Sequence, residues 1–333
     1  MLKVLFTAVG RRVALLRSFR RAFLDLDLEG VILATDMDPA APGLLEADRA
    51  FLFPDFRSES YLPKLLEICE REGVNLLIPL IDPELPLLAQ HKETFESINT
   101  VLVLSSLSSV SIANDKLATF AFFKSNGIPC VSTRLYSEDD EPRSEKSFPL
   151  VVKPRYGSSG QGVTLCSSYR ELEVAASKTQ EVVIQPLIRG PEVTIDLFGD
   201  GTGRLLSAVP RQRLKIRGGE VERAITIEIE PLMESVLRIS SGFKPYGPVN
   251  VQCFITDEGP LFTEINARFG GGYPLTYAAG ADFPRMIIEM FLGRDPESQL
   301  GNYTRGLVMS RYDEAFFTLA DDLPLGKPLG VVE

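Results

Sequence analysis

The chain has 333 residues, 44% of them hydrophobic and 24% charged, which is enough to bury an ordinary core and to form two or three compact lobes. Its formal net charge of -10 argues against nucleic acid or an anionic membrane surface as the main partner. The single histidine is His91, and the four cysteines are widely spaced without a C-x-x-C pair, which argues against a zinc site and a Ser-His-Asp triad.

The first part of the chain alternates strand and helix patterns. Apolar runs at 2–8, 30–35, 74–80 and 99–104 are separated by helical patterns at 11–24, 58–72 and 83–95. This alternation predicts an α/β domain over residues 1–112, with a parallel sheet covered by helices. The N-terminus has no signal-peptide pattern and no stretch approaches ~18 apolar residues, so we expect a cytoplasmic protein with reduced thiols.

Polar residues at the ends of these strands are weak signals. The segment TAVGRR at 7–12 opens a helix, where backbone N–H groups can hold an anion, but it lacks the three glycines of a dinucleotide fingerprint. We therefore interpret Gly10 and Asp36 as turn residues and Asp82 as a helix N-cap. A dehydrogenase is disfavoured for the same reason.

A change of pattern marks a second part. The serine-rich segment 104–113 is interpreted as a connection, and Asn114 as the N-cap of a helix that ends at Gly127. Strands are then predicted at 148–153, 163–166, 182–186, 192–198, 205–217, 222–230, 248–256 and 260–267, with helices near 168–178, 231–241 and 282–292. We expect an α+β part with lobes at 113–186 and 187–310, a surface loop at 138–145, and a C-terminal extension at 311–333.

A lysine and a glycine-rich loop indicate a phosphate site. Lys153 ends an apolar strand and the loop 156–162 follows, so glycine backbone, serine hydroxyls and an ammonium group can surround an anion. Lys116 lies in the first turn of a helix, where the dipole also favours an anion. The candidate loop residues are Gly157, Ser158, Ser159, Gly160 and Gly162. The alternative is a glycine-rich hairpin turn with a solvated lysine.

The next strands supply a connector and an acidic residue. Adenine could lie against Gln185, Leu187 and Ile188, which follow an apolar strand. Glu192 could accept hydrogen bonds from ribose hydroxyls, because it shares one strand face with two later polar residues. By itself, this acidic face is better explained as the solvent side of an antiparallel strand.

A predicted hairpin gives the strongest local argument. Residues 249–255 and 261–267 form its strands, and Gly259 supplies the turn. A centre near Glu258 would place four polar side chains on one face in two cross-strand pairs, Gln252 with Glu264 and Asn250 with Asn266. The alternative is a polar outer face balanced by ordinary cross-strand hydrogen bonds.

The oxygen atoms of this hairpin suit a metal ion. One carboxylate and two amides, from Glu264, Gln252 and Asn266, match the sparse oxygen shell that magnesium prefers. Arg268 continues the same row and leads into the glycine run 270–272, where the backbone can approach a ligand closely.

A basic strand adds a further candidate. Alternation over residues 207–217 predicts one face that carries Arg211, Arg213, Lys215 and Arg217. Arg211 and Arg213 are candidates to hold a γ-phosphate or a substrate carboxylate, because a planar guanidinium group suits both anions. A solvated basic face is supported about equally.

In chain order, these residues resemble the ATP-grasp superfamily over about residues 1–300. The run EINARFGGGYP at 264–274 is most similar to single-unit proteins related to the carbamoyl-phosphate synthase large subunit. Pro186 departs from the family pattern, because this position is often acidic there. The chain also has one such unit, where the large subunit has two.

The resemblance implies an N-terminal Rossmann-like pre-ATP-grasp domain followed by a two-lobed ATP-grasp fold that clasps ATP. It implies that Lys116 and Lys153 contact phosphates, that 185–188 contact adenine, and that Glu192 contacts ribose. Magnesium, with Mn²⁺ as a substitute, would bind Gln252, Glu264 and Asn266. Arg268 would lie near the transferred phosphoryl group.

We therefore expect a ligase that phosphorylates a carboxylate, joins the resulting acylphosphate to an amine, and releases ADP and phosphate. Such chemistry depends on alignment and charge neutralisation, and it needs no catalytic histidine or cysteine. Two alternatives stay open: a carbamoyl-phosphate synthase-like enzyme that acts on bicarbonate through carboxyphosphate, and a non-catalytic ATP-binding regulatory module. The expected partners are small-molecule carboxylate and amine substrates, without nucleic acid or membrane, and a homodimer stays open.

Overall fold

The computed structural model describes residues 1–137, 148–157 and 160–323. The chain divides into two compact units: residues 1–104, 280–297 and 311 onward form unit 1, and residues 105–279 and 298–310 form unit 2. The predicted loop at 138–145, together with Ser158 and Ser159, lies outside the described residues. The lobe boundaries at 112, 186 and 310 stay predictions.

The helices and strands are numbered here in chain order. In unit 1 and the first part of unit 2 they are β1 (Leu2–Thr7), α1 (Val13–Asp25), β2 (Gly30–Asp36), α2 (Pro42–Glu46), β3 (Arg49–Leu52), α3 (Tyr61–Glu72), β4 (Leu76–Pro79), α4 (Leu85–Gln90), α5 (Lys92–Ser97), β5 (Val101–Leu102), α6 (Leu107–Asn114), α7 (Lys116–Ser125) and β6 (Arg134–Leu135). They continue with β7 (Leu150–Pro154), β8 (Thr164–Cys166), α8 (Tyr169–Ala176), β9 (Val182–Pro186), β10 (Glu192–Asp200), β11 (Leu205–Arg217), β12 (Glu220–Thr226), α9 (Glu230–Phe243), β13 (Tyr246–Thr256), β14 (Gly259–Asn266), α10 (Tyr273–Ala278), α11 (Phe283–Phe291) and β15 (Val308–Ser310).

Unit 1 contains the predicted parallel sheet. Its strand order is β3-β2-β1-β4-β5, with all the described pairs parallel. Helix α1 buries Leu15, Leu16, Phe19 and Phe23, whose spacing of three to four residues puts them on one stripe, and Phe19 packs edge-on against Phe6 of β1 with ring centroids 5.0 Å apart. The α/β prediction is confirmed. Strand β3 was missed; it has four residues, of which two are exposed and two are half-buried.

Unit 2 contains two sheets whose described strand pairs are antiparallel. The larger has the order β14-β13-β10-β11-β12-β15, and the smaller has the order β6-β9-β7-β8. The predicted change to an α+β pattern is therefore confirmed. Among the described residues, no helix combines the length and the hydropathy that a membrane crossing requires.

The segment predicted to be a connection is helical. Helix α6 occupies most of residues 104–113, and the Ser106 hydroxyl caps it by accepting a hydrogen bond from the Ser109 N–H. Asn114 ends α6, and Asp115 is the N-cap of α7, so the prediction for Asn114 was wrong. Serine suggests a loop in sequence, but here Ser106 caps the helix, and Ser108, Ser109 and Ser111 lie within it.

Two acidic residues near the ends of strands differ in their roles. Asp36 accepts hydrogen bonds from the N–H groups of Gly10, at 2.7 Å, and Asp38, at 2.9 Å, as expected of a turn residue. Asp82 is the first residue of a short 3-10 helix and not its N-cap, which is Ile81, so that prediction was wrong.

Candidate active site

The hairpin of β13 and β14 has the predicted register at its polar end. Gln252 pairs with Glu264, and Asn250 pairs with Asn266. Near the turn the pairing is offset by one residue, since Thr256 pairs with Gly259, and a bulge at Thr263 restores the alignment. Because directly paired residues project to the same face of a sheet, the four polar side chains share one face.

The amide of Asn266 has a defined orientation. Asn250 Nδ2 donates to the Arg268 carbonyl oxygen at 3.1 Å, and this oxygen can only accept, so Asn250 Oδ1 must point toward Asn266. Asn266 Nδ2 donates to that Oδ1 at 3.1 Å. Asn266 Oδ1 is therefore turned away from Asn250 and is the atom suited to a metal.

Glu264 forms an ion pair with the predicted phosphate-binding lysine. Lys153 Nζ lies 3.1 Å from Glu264 Oε1, with the lysine side chain 8% exposed and the glutamate side chain 29% exposed. Burial by itself raises the pKa of Glu264, but Lys153, Lys116 and Arg213 outweigh it and hold that pKa below its ordinary value. A charged carboxylate beside two amides fits a divalent cation.

Lys116 lies at the start of α7 and contacts the glycine loop. Its Nζ donates to the Gly157 carbonyl oxygen at 2.8 Å, and its backbone N–H donates to the Arg155 carbonyl oxygen at 3.2 Å. Its charge also lowers the pKa of Glu264. The structure thus brings Lys116, Lys153 and Glu264 into one electrostatic cluster.

The described glycines of the loop adopt conformations that favour glycine. Gly157, Gly160 and Gly162 have φ values of 110°, 70° and 72°. A Cβ at Gly162 would lie 2.8 Å from Cγ of Pro154, so the loop also passes close to the end of β7.

The connector and ribose candidates are held by internal contacts. The buried Gln185 side chain donates to Thr133 Oγ1 at 2.8 Å. Only the backbone of Gln185 would then be available to contact adenine. Leu187 and Ile188 are half-buried beyond the end of β9. Glu192 forms an ion pair with Arg213 of the neighbouring strand.

The basic strand β11 is only half solvated. Arg211 is 2% exposed, while Lys215 and Arg217 are 54% and 51% exposed and pair with Glu222. The predicted strict alternation was wrong beyond Arg213, because the pairing with β12 shifts on both sides of Lys215.

Arg211 belongs to a buried ion pair. Its Nε donates to Asp196 Oδ2 at 2.8 Å, and Thr276 Oγ1 donates to the same oxygen. Arg211 NH1 has no hydrogen-bond partner among the described residues. A Cβ at Gly272 would lie 2.3 Å from that atom, so the glycine run lets the backbone approach this guanidinium group.

A buried glutamate in unit 1 was missed. Glu84 accepts hydrogen bonds from Thr7 Oγ1 at 2.8 Å, from Leu80 N–H at 3.1 Å and from the Tyr61 hydroxyl. Burial raises its pKa, and these hydrogen bonds partly offset that effect. The glutamate joins the carboxyl ends of β1 and β4, and its position at the start of an apolar helix was the one available signal.

Two family descriptions match separate parts of the chain. Residues 4–103 match the PylC-like N-terminal domain, and residues 178–315 match ATP-grasp in the biosynthetic pathway with Ter operon. Carbamoyl-phosphate synthase of Methanobrevibacter smithii is 26% identical over 176 residues, which are 52% of this chain and 46% of that protein. Phosphoribosylamine–glycine ligase of Rhizobium meliloti is 22% identical over 265 residues, 70% of this chain and 61% of that protein. The chain thus spans less than two thirds of these relatives.

Solved structures share the fold. The biotin carboxylase domain of Hydrogenobacter thermophilus 2-oxoglutarate carboxylase, in complex with MgADP, ADP and bicarbonate, aligns with a TM-score of 0.74 at 17% identity. The alignment covers 92% of this chain and 73% of that one. L-amino acid ligase of Bacillus licheniformis aligns with a TM-score of 0.69 at 20% identity, over 92% of this chain and 78% of that one.

Proposed function

The chain carries an ATP-grasp domain, and from that premise we propose that it is an ATP- and magnesium-dependent carboxylate-amine ligase that acts through an acylphosphate. The observation that carries the proposal is the cluster on the β13–β14 hairpin. There Glu264, paired with Gln252 and adjacent to Asn266 on one face, contacts the buried Lys153 at 3.1 Å. A divalent cation and a phosphate chain need this combination of anionic, amide and cationic groups.

Each part of the cluster has a proposed partner. Gln252, Glu264 and Asn266 would hold Mg²⁺, or Mn²⁺ in its place. Lys116, Lys153 and the loop residues Gly157, Ser158, Ser159, Gly160 and Gly162 would bind phosphates. The backbone at Gln185, Leu187 and Ile188 would contact adenine, and Glu192 the ribose.

Three arginines are proposed to act on the reacting groups. Arg268 would neutralise the transferred phosphoryl group, because it lies two residues beyond Asn266. It does not continue the strand row as predicted, since β14 ends at Asn266 and residues 267–268 form a bend. Arg213 would exchange its contact with Glu192 for a substrate or phosphate anion. Arg211 would act from its buried position, through the NH1 atom that has no partner among the described residues.

The proposed reaction has two steps. A substrate carboxylate oxygen attacks the γ-phosphorus, the bond to the β-phosphate oxygen breaks, and ADP leaves. An amine nitrogen then attacks the acyl carbon, phosphate leaves with the bonding electron pair, and the nitrogen loses a proton. The lysines and arginines position these anions and neutralise their charge. When bound, magnesium supplies further charge neutralisation at the phosphate oxygens.

Bicarbonate is the second candidate for the carboxylate. The matching structure of the 2-oxoglutarate carboxylase domain contains bicarbonate, and the matching relatives include a carbamoyl-phosphate synthase. Attack by bicarbonate would give carboxyphosphate. The matching L-amino acid ligase and phosphoribosylamine–glycine ligase favour an organic carboxylate.

The proposal is tested by ADP release. Purified protein with MgATP is screened against carboxylates, including bicarbonate and amino acids, with and without amines. We expect at least one pair to stimulate ADP release and to yield a condensed product. Glu264→Gln should lower this rate by at least about a hundredfold, as loss of an electrostatic group in the site does. Glu258→Gln, in the exposed hairpin turn, is the control.

Two results would contradict the ligase. If Glu264→Gln released ADP at the wild-type rate, Glu264 would not belong to the active site. ATP binding without stimulated hydrolysis across the whole panel would favour the regulatory module. We also propose that the protein is cytoplasmic.

A further inference from the structure

A bidentate ion pair joins the two segments that carry the proposed phosphate ligands. Arg155 Nε donates to Asp115 Oδ1 at 2.9 Å, and Arg155 NH2 donates to Asp115 Oδ2 at 2.5 Å. Asp115 is the N-cap of α7, and Arg155 follows the end of β7. The planar fork fixes both distance and orientation, which a single contact would not do.

Backbone contacts extend this pair to the phosphate site. The Asp115 carboxylate accepts from the Leu117 N–H at 2.9 Å, so the same group begins the helix. The Lys116 N–H donates to the Arg155 carbonyl oxygen at 3.2 Å, and Lys116 Nζ donates to the Gly157 carbonyl oxygen at 2.8 Å. The helix start and the loop start are therefore held together by several contacts around Lys116.

A second acid fixes Arg155 from the other side. Arg155 NH1 lies 2.9 Å from Glu181 Oε1, and its backbone N–H donates to the Glu181 carbonyl oxygen at 2.8 Å. The guanidinium group also lies over the Tyr156 ring, 5.1 Å from its centroid. Arg155 thus has a defined position without any ligand.

Arg155 neutralises the charge of Asp115. Burial by itself raises the pKa of Asp115, but the hydrogen bonds from Arg155 and from the helix outweigh it and lower that pKa. Asp115 thus stays anionic next to Lys116. Without Arg155, its carboxylate would repel a phosphate and compete with it for the Lys116 ammonium group.

We infer that Asp115 and Arg155 are positioning residues for the phosphate-binding part of the site. They align Lys116 with the glycine loop and neutralise the acid beside it, without contacting the nucleotide. This inference rests on the proposed function, because it takes Lys116 and the loop as phosphate ligands. Asp115 and Arg155 would thus contribute to specificity for phosphorylated nucleotides without contacting the ligand.

The test compares a ligand with phosphates and one without them. MgADP and adenosine are titrated into the full chain and into Arg155→Met, Asp115→Asn and the double variant. Arg155→Met should weaken MgADP binding about tenfold, the effect of losing roughly one charge-assisted hydrogen bond, and should change adenosine binding less than about twofold. Asp115→Asn keeps the cap oxygen and should weaken MgADP binding less.

The double variant gives the sharpest expectation. It should bind MgADP more tightly than Arg155→Met, because the unneutralised carboxylate is gone.

Arg285→Met is the matched control, since Arg285 forms a similar ion pair with Glu289, at 2.9 Å, on helix α11 of unit 1. It should leave both affinities unchanged.

The outcomes separate the inference from the proposed function. Unchanged MgADP binding in Arg155→Met, or an equal loss for adenosine, would overturn the positioning role while leaving the nucleotide site intact. A double variant that binds no better than Arg155→Met would overturn the neutralising role. If the wild type does not bind MgADP, the proposed function fails, and this inference fails with it.

Discussion

The acid and amide groups of the candidate site are held in place before any ligand binds. Glu264 is paired with Lys153, Glu192 is paired with Arg213, and Asn266 is oriented by Asn250. A metal and a phosphate chain would therefore replace internal contacts and need not order mobile side chains. This arrangement predicts that metal and nucleotide bind together, because the metal compensates Glu264 when a phosphate takes Lys153.

A substitution of Asn250 tests whether it orients Asn266 for the metal. In Asn250→Leu the side chain can neither donate to the Arg268 carbonyl oxygen nor accept from Asn266 Nδ2, so the orientation of Asn266 is lost. We expect the Mg²⁺ concentration for half-maximal ADP binding to rise about tenfold, the usual effect of removing a residue that orients a metal ligand. Titration of Mg²⁺ at fixed ADP measures this change.

Thr256→Val is the control for Asn250→Leu. It alters the turn of the same hairpin, away from the polar end, and should leave the Mg²⁺ dependence in place. An unchanged Mg²⁺ requirement in Asn250→Leu would show that Asn266 does not depend on Asn250, or does not bind the metal.

A buried ion pair joins the neighbouring strands β10 and β11. Arg211 and Asp196 are each 2% exposed, and the glycine at 272 leaves room for the guanidinium group. Removing one partner of such a pair leaves an uncompensated buried charge, whereas removing both does not. Each residue thus compensates the buried charge of the other, whether or not Arg211 also acts on a substrate.

A double-mutant cycle tests this pair. Asp196→Leu should lower the free energy of unfolding by about 3–5 kcal/mol, and Asp196→Leu combined with Arg211→Met should lower it by less. Urea unfolding measures both values and the value for Arg211→Met alone. Additive losses of unfolding free energy would mean that the two residues are not energetically coupled. ADP release by the stable double variant would exclude Arg211 from catalysis.

Sequence patterns predicted the elements better than their local irregularities. The register of Gln252 with Glu264 was predictable, because polar residues at spacing two must share a face. The bulge at Thr263 was not, since a bulge leaves no pattern of its own in one sequence. The burial of Arg211 was also hidden, because an arginine in an alternating strand indicates a solvated face until its partner, here Asp196, is known.

At the scale of the whole molecule, several carboxylates are kept charged by arginine or lysine. A hydrogen bond from Arg57 lowers the pKa of Asp55 to about 2. The pKa values of Glu72, Asp115, Asp200 and Glu264 are also below their ordinary values, because bonds to cations or N–H groups outweigh burial. An acid with a lowered folded-state pKa stabilises the fold above its unfolded-state pKa, and this contribution is lost as pH falls through the folded-state value.

Asp115 allows this linkage to be measured. Its ordinary pKa is 3.8, so its contribution should be complete above that pH and should decline below it. Asp115→Asn should therefore show a shallower fall in the free energy of unfolding between about pH 4 and pH 2 than the wild type. Urea unfolding over this range is the measurement, with Asp257→Asn in the exposed hairpin turn as the control. Parallel curves for Asp115→Asn and wild type would contradict the assignment.

A crystal structure of the protein with MgADP would show directly which residues bind the metal and the phosphates. We expect a metal held by Gln252, Glu264 and Asn266, and Lys153 Nζ moved from its 3.1 Å contact with Glu264 to a phosphate oxygen. Lys116 and the glycine loop should contact the phosphates as well. A nucleotide bound elsewhere, or one bound with the contact between Lys153 and Glu264 intact and no metal at Asn266, would contradict this expectation.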